Sequence, residues 1–469
     1  MKKKYSLLLT ILASLLLVVL LTWFIPSGSY YYGTFSEGTI APLGIGDLFK
    51  IPMWTFSTIF QFSLIFLVIG GFYGVLNKTG VYDNLVESIT KKFKKKSYLF
   101  LIITVVSLAL LSSLMGGTTY LFLLVPFFVA VLLKLGYGKC TSLLATVGSL
   151  FAGVIGSTYS FEINGYINYY LSLDLHTGIV YKILLFVLTV SLLLLFILKI
   201  AKKEDKVELD SIPLYEENKK DKKSFVPVVV ITIIGVIICL VGAFNWQDMY
   251  SISLFTDIYT AIKEATIGGY PLFANILGSI TEIGYWSAQD VNIMIIIMAL
   301  LIGWIYSIKL KDIANAFVKG AKEMLPTFIY ATLANMIIVI LMNSSTGQFI
   351  NYTIINFLFN LTEGFNALAY GLATLVDSFV VNYFPYLSSD VLNPAMTVYT
   401  DATVYPIIGL ITQAVYGLAM FILPTSLVLI AGLAYLNISY KEWFKYIWKF
   451  LLCLLGVIVL VGLIASLLI

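Results

Sequence analysis

The sequence predicts an all-α polytopic integral membrane protein with about 11 to 13 membrane segments. Its 469 residues are 60% hydrophobic and only 12% charged, with a mean hydropathy of +0.96, which is far more apolar than an ordinary soluble domain. Runs of about 18 to 25 apolar residues, long enough to cross roughly 30 Å of hydrocarbon, recur from one end of the chain to the other. No stretch between them is long enough for a large soluble domain.

The first segment, 5–25, has the charged start of a signal peptide. Its apolar run is too long for one and no small-residue cleavage motif follows, so we expect it to be retained. A polar, charged stretch at 201–224 predicts a cytoplasmic linker. It divides the chain into a first transmembrane repeat, 1–200, and a second, 225–469. The remaining segments are predicted at 55–76, 98–115, 119–135, 141–160, 177–200, 225–244, 291–308, 326–343, 365–383, 404–423, 424–440 and 446–469.

All 29 basic residues are lysine, and their placement predicts the topology because lysine-rich loops stay cytoplasmic. The clusters at 2–4, 91–96, 199–223, 309–322 and 441–449 are satisfied together by a cytoplasmic N-terminus. We therefore expect a multi-pass protein of the plasma membrane, with an arginine-free composition that suggests a bacterial source. The net charge of +4 follows from this topology and predicts no nucleic-acid partner.

Few residues could support enzyme chemistry or a metal site. His176 is the single histidine, and Cys140, Cys239 and Cys453 are far apart in or beside apolar runs. These residues lack metal-ligand spacing and cannot supply a histidine-based triad. The sequence thus predicts no metal, no cofactor and no enzymatic activity; a membrane-embedded enzyme is the less favoured reading.

Each half contains an apolar region that small and polar residues interrupt. The first is LFAGVIGSTYSFEINGYINYY at 150–170, and the second is NYFPYLSSDVLNPAMT at 382–397. Non-helical backbone at membrane depth must be buried in protein or line a water-filled cavity, and paired interruptions point to a transporter's binding site. The second stretch alone is also compatible with a plain extramembrane loop.

Four stretches resemble the family of the arginine/ornithine antiporter and the anaerobic C4-dicarboxylate carrier, often called YfcC-like, within the ion transporter superfamily. They are WFIPSGSY at 23–30, LVIGGFYGVLNKTGVYDNLV at 67–86, GSTYSFEINGYIN at 156–168 and LPTSLVLIAGLAYLNISYKEW at 423–443. Asn382, Pro385 and Ser388 also match a family motif, whereas Ser389 replaces its glycine and Asp390 its glutamine. The acidic pair that many relatives carry is replaced by neutral residues in MGGTTY at 115–120.

The resemblance implies a secondary carrier built from two inverted repeats, each with a re-entrant hairpin whose tip meets the other near the bilayer middle. It further implies an elevator movement and a homodimer. Lys182 aligns with a family arginine.

Ionisable residues at membrane depth are functional candidates. Asp390 and Glu162 lie in the predicted tips, and either could receive a cationic group. Asp377, Asp401 and Lys182 are candidates for coupling. Alternatives stay open for several of them: Asp377 and Asp401 could cap helices, and Glu162 could pair with Lys182.

These acids, with no arginine, favour a cationic or zwitterionic solute. We expect a basic or neutral amino acid exchanger or symporter. The alternative is ion-coupled uptake of a dicarboxylate or short-chain carboxylate; a channel fits the paired interruptions less well. Coupling could use Na⁺, H⁺ or neither. The expected solute contacts are Ser157, Thr158, Glu162, Asn164, Ser388, Ser389, Asp390, Asn393, Thr425 and Ser426.

Overall fold

The computed structural model describes residues 6–31, 34–201, 214–217, 223–342 and 350–468. Within them, six helical segments are long and apolar enough to cross a membrane, and shorter apolar helices accompany them. The predicted all-α polytopic membrane fold is confirmed. Lys2–Lys4 and most of the predicted linker, 202–213 and 218–222, lie outside the described residues.

The first half begins with α1 and a two-stranded antiparallel hairpin, in which Gly28 pairs with Glu37. Its elements are α1 Ser6–Leu21, β1 Gly28–Tyr31, β2 Thr34–Glu37, α2 Ile45–Thr79, α3 Tyr82–Phe93, α4 Ser97–Met115, α5 Thr118–Leu121, α6 Val125–Lys134, α7 Lys139–Ile155, a π-helical turn Phe161–Gly165, α8 Tyr166–Leu171 and α9 Ile179–Ile200.

The second half is helical wherever it is described, apart from its turns. Its helices are α10 Val226–Gly242, α11 Trp246–Tyr250, α12 Leu254–Glu264, α13 Leu272–Leu277, α14 Ala288–Ile305, α15 Leu310–Glu323, α16 Leu325–Ala334, α17 Met336–Met342, α18 Ile350–Phe359, α19 Ala367–Val380, α20 Phe384–Val398, α21 Tyr405–Ile422, α22 Leu427–Leu436 and α23 Tyr440–Leu468.

The α2 and α15 helices pack with their backbones in contact. α15 is amphipathic and buries Ile313, Ala316 and Gly320. A Cβ on Gly320 would lie 2.0 Å from the Gly70 carbonyl oxygen, and one on Gly74 would lie 2.2 Å from the Ala316 oxygen. Only glycine permits this approach at these two crossing points. α15 was not predicted from the sequence, because its many charged residues leave only a short apolar stripe.

Each half supplies one hairpin and one broken helix. In the first half, α4 turns into α5 at Gly116 and Gly117, and α7 breaks at 156–160. In the second half, α19 turns into α20 at 381–383, and α21 breaks into α22 at 423–426. α7 packs against α21, and α9 against α23, so matching elements of the two halves meet. The inversion of one repeat relative to the other stays a prediction.

This arrangement corrects two details of the sequence analysis. The predicted interruption at 382–397 is a turn only at its start, because Pro385 lies in the first turn of α20, where its missing N–H costs nothing, and the helix then continues through Pro394. The break at 156–160 therefore has its counterpart at 423–426 rather than in the 382–397 stretch.

The described piece of the linker, 214–217, is docked on the protein. Leu214 is buried, its N–H donates to Glu323, and its carbonyl accepts from Asn77. Lys134 forms ion pairs with Asp83 at 3.2 Å and with Glu217 at 3.4 Å. The linker is thus attached to α2, α6 and α15 over these residues.

Candidate functional site

Chain interruptions from both halves meet around one small cavity, which we call the inner cavity. Its volume is about 60 Å³, room for a few water molecules. The first hairpin, the first broken helix, the second hairpin, the second broken helix and the junction of α16 with α17 all contribute to it. Polar contributors to its lining are Thr118, Thr119, Tyr120, Glu162, Asn335, Asn382, Tyr383, Tyr386 and Tyr416; Gly117, Leu427 and Val428 also line it.

A wider space, the vestibule, adjoins the inner cavity. Its volume is about 340 Å³, within the range of sites for small organic molecules. Tyr120, Glu162 and Tyr383 line both spaces, and Trp286 and Gln289 line the vestibule only. A solute whose body lies in the vestibule can therefore extend one polar group past Glu162 into the inner cavity.

Among the described residues that line the two spaces, Glu162 is the single charged one. It lies in the π-helical turn after the first break. Two glycines of the first hairpin let the backbone approach it: a Cβ on Gly116 would lie 2.9 Å from the Glu162 Cβ, and one on Gly117 would lie 3.2 Å from Glu162 Oε2. No hydrogen bond or ion pair joins this carboxylate to another described residue, so it is available to a ligand.

A hydrogen-bond network fixes the backbone of the first break. Ser113 Oγ donates to the Gly156 carbonyl at 2.8 Å, and the Thr158 N–H donates to the Ser113 carbonyl at 3.1 Å. Asn164 Nδ2 donates to Ser157 Oγ at 3.0 Å. Because α4 carries Ser113, the first hairpin and the first broken helix are joined at this point.

Gln413 connects the second broken helix to the first. Its Nε2 donates to the carbonyls of Ile155 at 3.0 Å and Ser157 at 3.2 Å. These carbonyls sit at the end of α7, where helical partners are missing. Gln413 Oε1 and Asn164 Oδ1 are buried without a partner in the described part of the chain.

The helix N-termini of α20 and α22 face the inner cavity. Tyr383 precedes α20, and Leu427 and Val428 form the first turn of α22. The positive ends of these helix dipoles favour an anionic group there. Just before α22, the hydroxyls of Thr425 and Ser426 are buried without a partner among the described residues, which leaves two donors beside this site.

The predicted contacts divide into three groups. Glu162 lines the cavity, and Thr425 and Ser426 lie next to residues that line it. Ser157, Thr158 and Asn164 form the network behind Glu162. The α20 residues do not line either space: Ser388 Oγ donates to the Pro385 carbonyl, Asn393 Nδ2 donates to Ser389 Oγ, and Asp390 accepts from Tyr352 Oη at 2.9 Å.

The three coupling candidates lie apart from the cavity lining. Asp377 is fully buried and accepts a hydrogen bond from Asn351 at 2.7 Å. Lys182 is buried on α9 and forms no ion pair with Glu162. Asp401 is exposed and caps the turn at 402–404, where Thr403 donates to it and holds its pKa below the ordinary value. The capping alternative is therefore the one that the structure shows for Asp401.

Most of the polar residues that line the inner cavity were not predicted from the sequence. Thr118, Thr119 and Tyr120 follow a Gly-Gly pair between two apolar runs, a signal for a turn at membrane depth. Asn335 is an isolated amide in an apolar run, a further signal of this kind. Tyr386 and Tyr416 give no such signal, because tyrosine is common throughout this chain.

Comparisons with known proteins match this chain to a family of carriers. A family model described as "C4-dicarboxylate anaerobic carrier" matches residues 1–467. A Haemophilus influenzae protein described as "Uncharacterized protein" is 23% identical over 440 residues, which are 90% of this chain and 79% of that protein. The crystal structure of the Alcanivorax borkumensis YdaH transporter aligns over 99% of both chains, with a TM-score of 0.40 and 13% identity.

Proposed function

This chain belongs to the C4-dicarboxylate anaerobic carrier family, and we propose that this secondary carrier transports a basic or neutral amino acid. The observation that carries the proposal is the unpaired Glu162, the single charged side chain among the described residues that line the two spaces. Glu162 is partly buried, and a carboxylate in such a position stabilises an ammonium group through a charge-assisted hydrogen bond. Without a cationic ligand, its desolvation would be uncompensated.

Another part of the inner-cavity lining suits the solute's carboxylate. The N-termini of α20 and α22 and the free hydroxyls of Thr425 and Ser426 supply donors and a positive field there. Basic residues are absent from the described lining, so nothing competes with an ammonium group for Glu162. A zwitterionic amino acid would thus place its carboxylate at the helix N-termini and its amine, or a cationic side chain, at Glu162.

A C4-dicarboxylate is the second candidate, because the matching family model is described by this substrate class. Two carboxylates would rely on the helix N-termini and on neutral donors, among them Tyr120, Tyr383 and Asn382. They would also require that Glu162 carry a proton, since an ionised Glu162 would repel them.

We further propose exchange by an elevator movement, in which the hairpins and broken helices move together against α2, α14 and α15. The hydrogen bonds of Ser113 and Gln413 support this, because they join the first hairpin and both broken helices into one body. We place the carrier in a bacterial plasma membrane, with its N-terminus in the cytoplasm, and expect a homodimer.

Counterflow in proteoliposomes tests the substrate. Vesicles are preloaded with lysine, ornithine, arginine, succinate or malate, and entry of the labelled solute is followed for the wild type, Glu162→Gln and the matched control Asp401→Asn. We expect saturable entry of an amino acid that falls at least tenfold in Glu162→Gln, because removing one partner of a buried charge pair costs about 2–5 kcal/mol. The control is expected to equal the wild type. Entry of succinate or malate alone would overturn the amino acid assignment in favour of the second candidate.

A further inference from the structure

A second carboxylate, which is fully buried, lies outside the inner cavity, in the second hairpin. Asp377 is on the last turn of α19 and is 0% exposed. Its Oδ1 accepts a hydrogen bond from Asn351 Nδ2 on α18 at 2.7 Å. Its other oxygen, Oδ2, is buried and has no donor among the described residues.

Asn351 also has one unsatisfied hydrogen-bond acceptor. Its amide oxygen, Oδ1, is also buried without a partner in the described structure. Two side chains that already share one hydrogen bond thus each leave one acceptor unsatisfied. Buried acceptors without donors are rare because each costs free energy, and an unpaired buried charge costs still more.

One proton on Asp377 would remove both defects. A neutral Asp377 would have an Oδ2–H to donate to Asn351 Oδ1, while its Oδ1 keeps the existing bond from Asn351 Nδ2. The pair would then share the two hydrogen bonds that a carboxylic acid forms with a primary amide, each group being donor and acceptor once. Protonation of Asp377 changes the charge of the Asp377–Asn351 pair from −1 to 0.

The surroundings favour the neutral form. Asp377 and Asp390 are the charged residues of the four packed helices α18, α19, α20 and α21, and both are acidic. Asp390 is partnered by Tyr352 Oη, and the Tyr30 ring of β1 lies against Tyr352 at 5.5 Å. The remaining titratable groups on these helices are tyrosines, at positions 370, 386, 399, 405 and 416 around the α19–α21 bundle. No lysine forms an ion pair with either carboxylate in the described residues.

We infer that Asp377 and Asn351 form a proton-binding site that couples the second hairpin to proton movement. The Val381 N–H donates to the Asp377 carbonyl at 2.7 Å, and Asn382 Nδ2 donates to the Ser378 carbonyl at 3.2 Å. The end of α19 that carries Asp377 is therefore hydrogen-bonded to the turn that contains Asn382, which lines the inner cavity. Proton release would leave two unsatisfied acceptors and a charge next to this turn. The coupling part of the inference rests on the proposed carrier function, whereas the proton site does not.

Infrared spectroscopy of the purified wild type and its variants, compared as difference spectra, tests the proton site without any substrate. We expect a carboxylic acid C=O band at neutral pH that is lost in Asp377→Asn and kept in Asp390→Asn. Asp377→Asn copies the protonated state in shape and hydrogen bonding, so we expect it to fold. If it does not, Asn351→Leu serves instead: the acid loses its acceptor and the band shifts. A band that is unchanged in both variants, or absent from the wild type, would overturn the proton site.

Transport then tests the coupling. Uptake into proteoliposomes is compared with and without an inward proton gradient, for the solute that counterflow identifies. We expect the gradient to stimulate wild-type uptake several-fold and to have no effect on Asp377→Asn. A variant that keeps the full stimulation, or a wild type driven by sodium instead, would overturn the coupling. Failure of the amino acid assignment would leave the infrared result untouched.

Discussion

Gln413 offers a test of how the two broken helices are joined. We consider Gln413→Leu, which keeps the size and apolar stem of the side chain but removes both donors. The Ile155 and Ser157 carbonyls lose the hydrogen bonds at 3.0 and 3.2 Å. Water cannot replace them, because Gln413 and Ser157 are both 0% exposed.

The change in the free energy of unfolding can be estimated from these contacts. A buried acceptor left without a donor costs about 1–3 kcal/mol, so two cost roughly 2–6 kcal/mol. Removing the buried Gln413 Oε1, which has no partner among the described residues, stabilises the folded protein by about 1–2 kcal/mol. The difference spans roughly 0–5 kcal/mol, and we expect a net destabilisation near its middle, about 2–3 kcal/mol.

The assay is the apparent Tm of the purified protein in detergent. Gln413→Leu is expected to lower it clearly, and to weaken solute binding because the site's two walls are no longer joined. Thr189→Val is the matched control: its hydroxyl is buried and without a partner among the described residues, so its removal should leave the Tm unchanged or raise it. Equal Tm values for Gln413→Leu and the wild type would refute this reasoning.

Three further changes test other parts of the structure. Gly320→Ala should lower the apparent Tm by several degrees, since its Cβ would lie 2.0 Å from an α2 carbonyl that cannot move aside, whereas Gly456→Ala, with open space around it, should be neutral. Asp401→Asn should leave the pH profile of transport unchanged between about pH 6 and 8. The N–H and hydroxyl of Thr403 donate to Asp401 and lower its pKa. The capping contribution of Asp401 is therefore present above the ordinary aspartate pKa and is lost only as the pH falls through the lowered pKa. Lys134→Met should speed limited proteolysis of the linker severalfold, because it removes the ion pair to Glu217 and the ammonium group beside Tyr215. An unchanged digestion rate would contradict that docking.

The sequence predicted the helical membrane fold and the region of the site because both depend on local signals. Long apolar runs mark spans, and small polar residues inside them mark breaks. Glu162 was predicted in this way, as an acid inside a Gly/Ser/Thr-rich interruption, and it lines the inner cavity. Thr425 and Ser426 were found by the same kind of signal.

The position of Asp390 could not be predicted, since it depends on where a helix begins. The turn ends at Tyr383, so Asp390 lies about two helical turns, roughly 10 Å, along α20. There it contacts Tyr352 instead of the cavity. The Asp377–Asn351 contact joins residues 26 apart on two helices, and no sequence period specifies such a tertiary pair.

Solute protection of an introduced cysteine tests most directly whether the cavity around Glu162 binds the solute. Thr119→Cys is made with Cys140, Cys239 and Cys453 replaced by serine, and Ser253→Cys, at an exposed position just before α12, is the control. We expect the transported solute to slow labelling by a small thiol reagent several-fold at position 119 and not at 253. Labelling at 119 that is unchanged by saturating solute would contradict this account, because a solute held between Glu162 and the helix N-termini must cover that side chain.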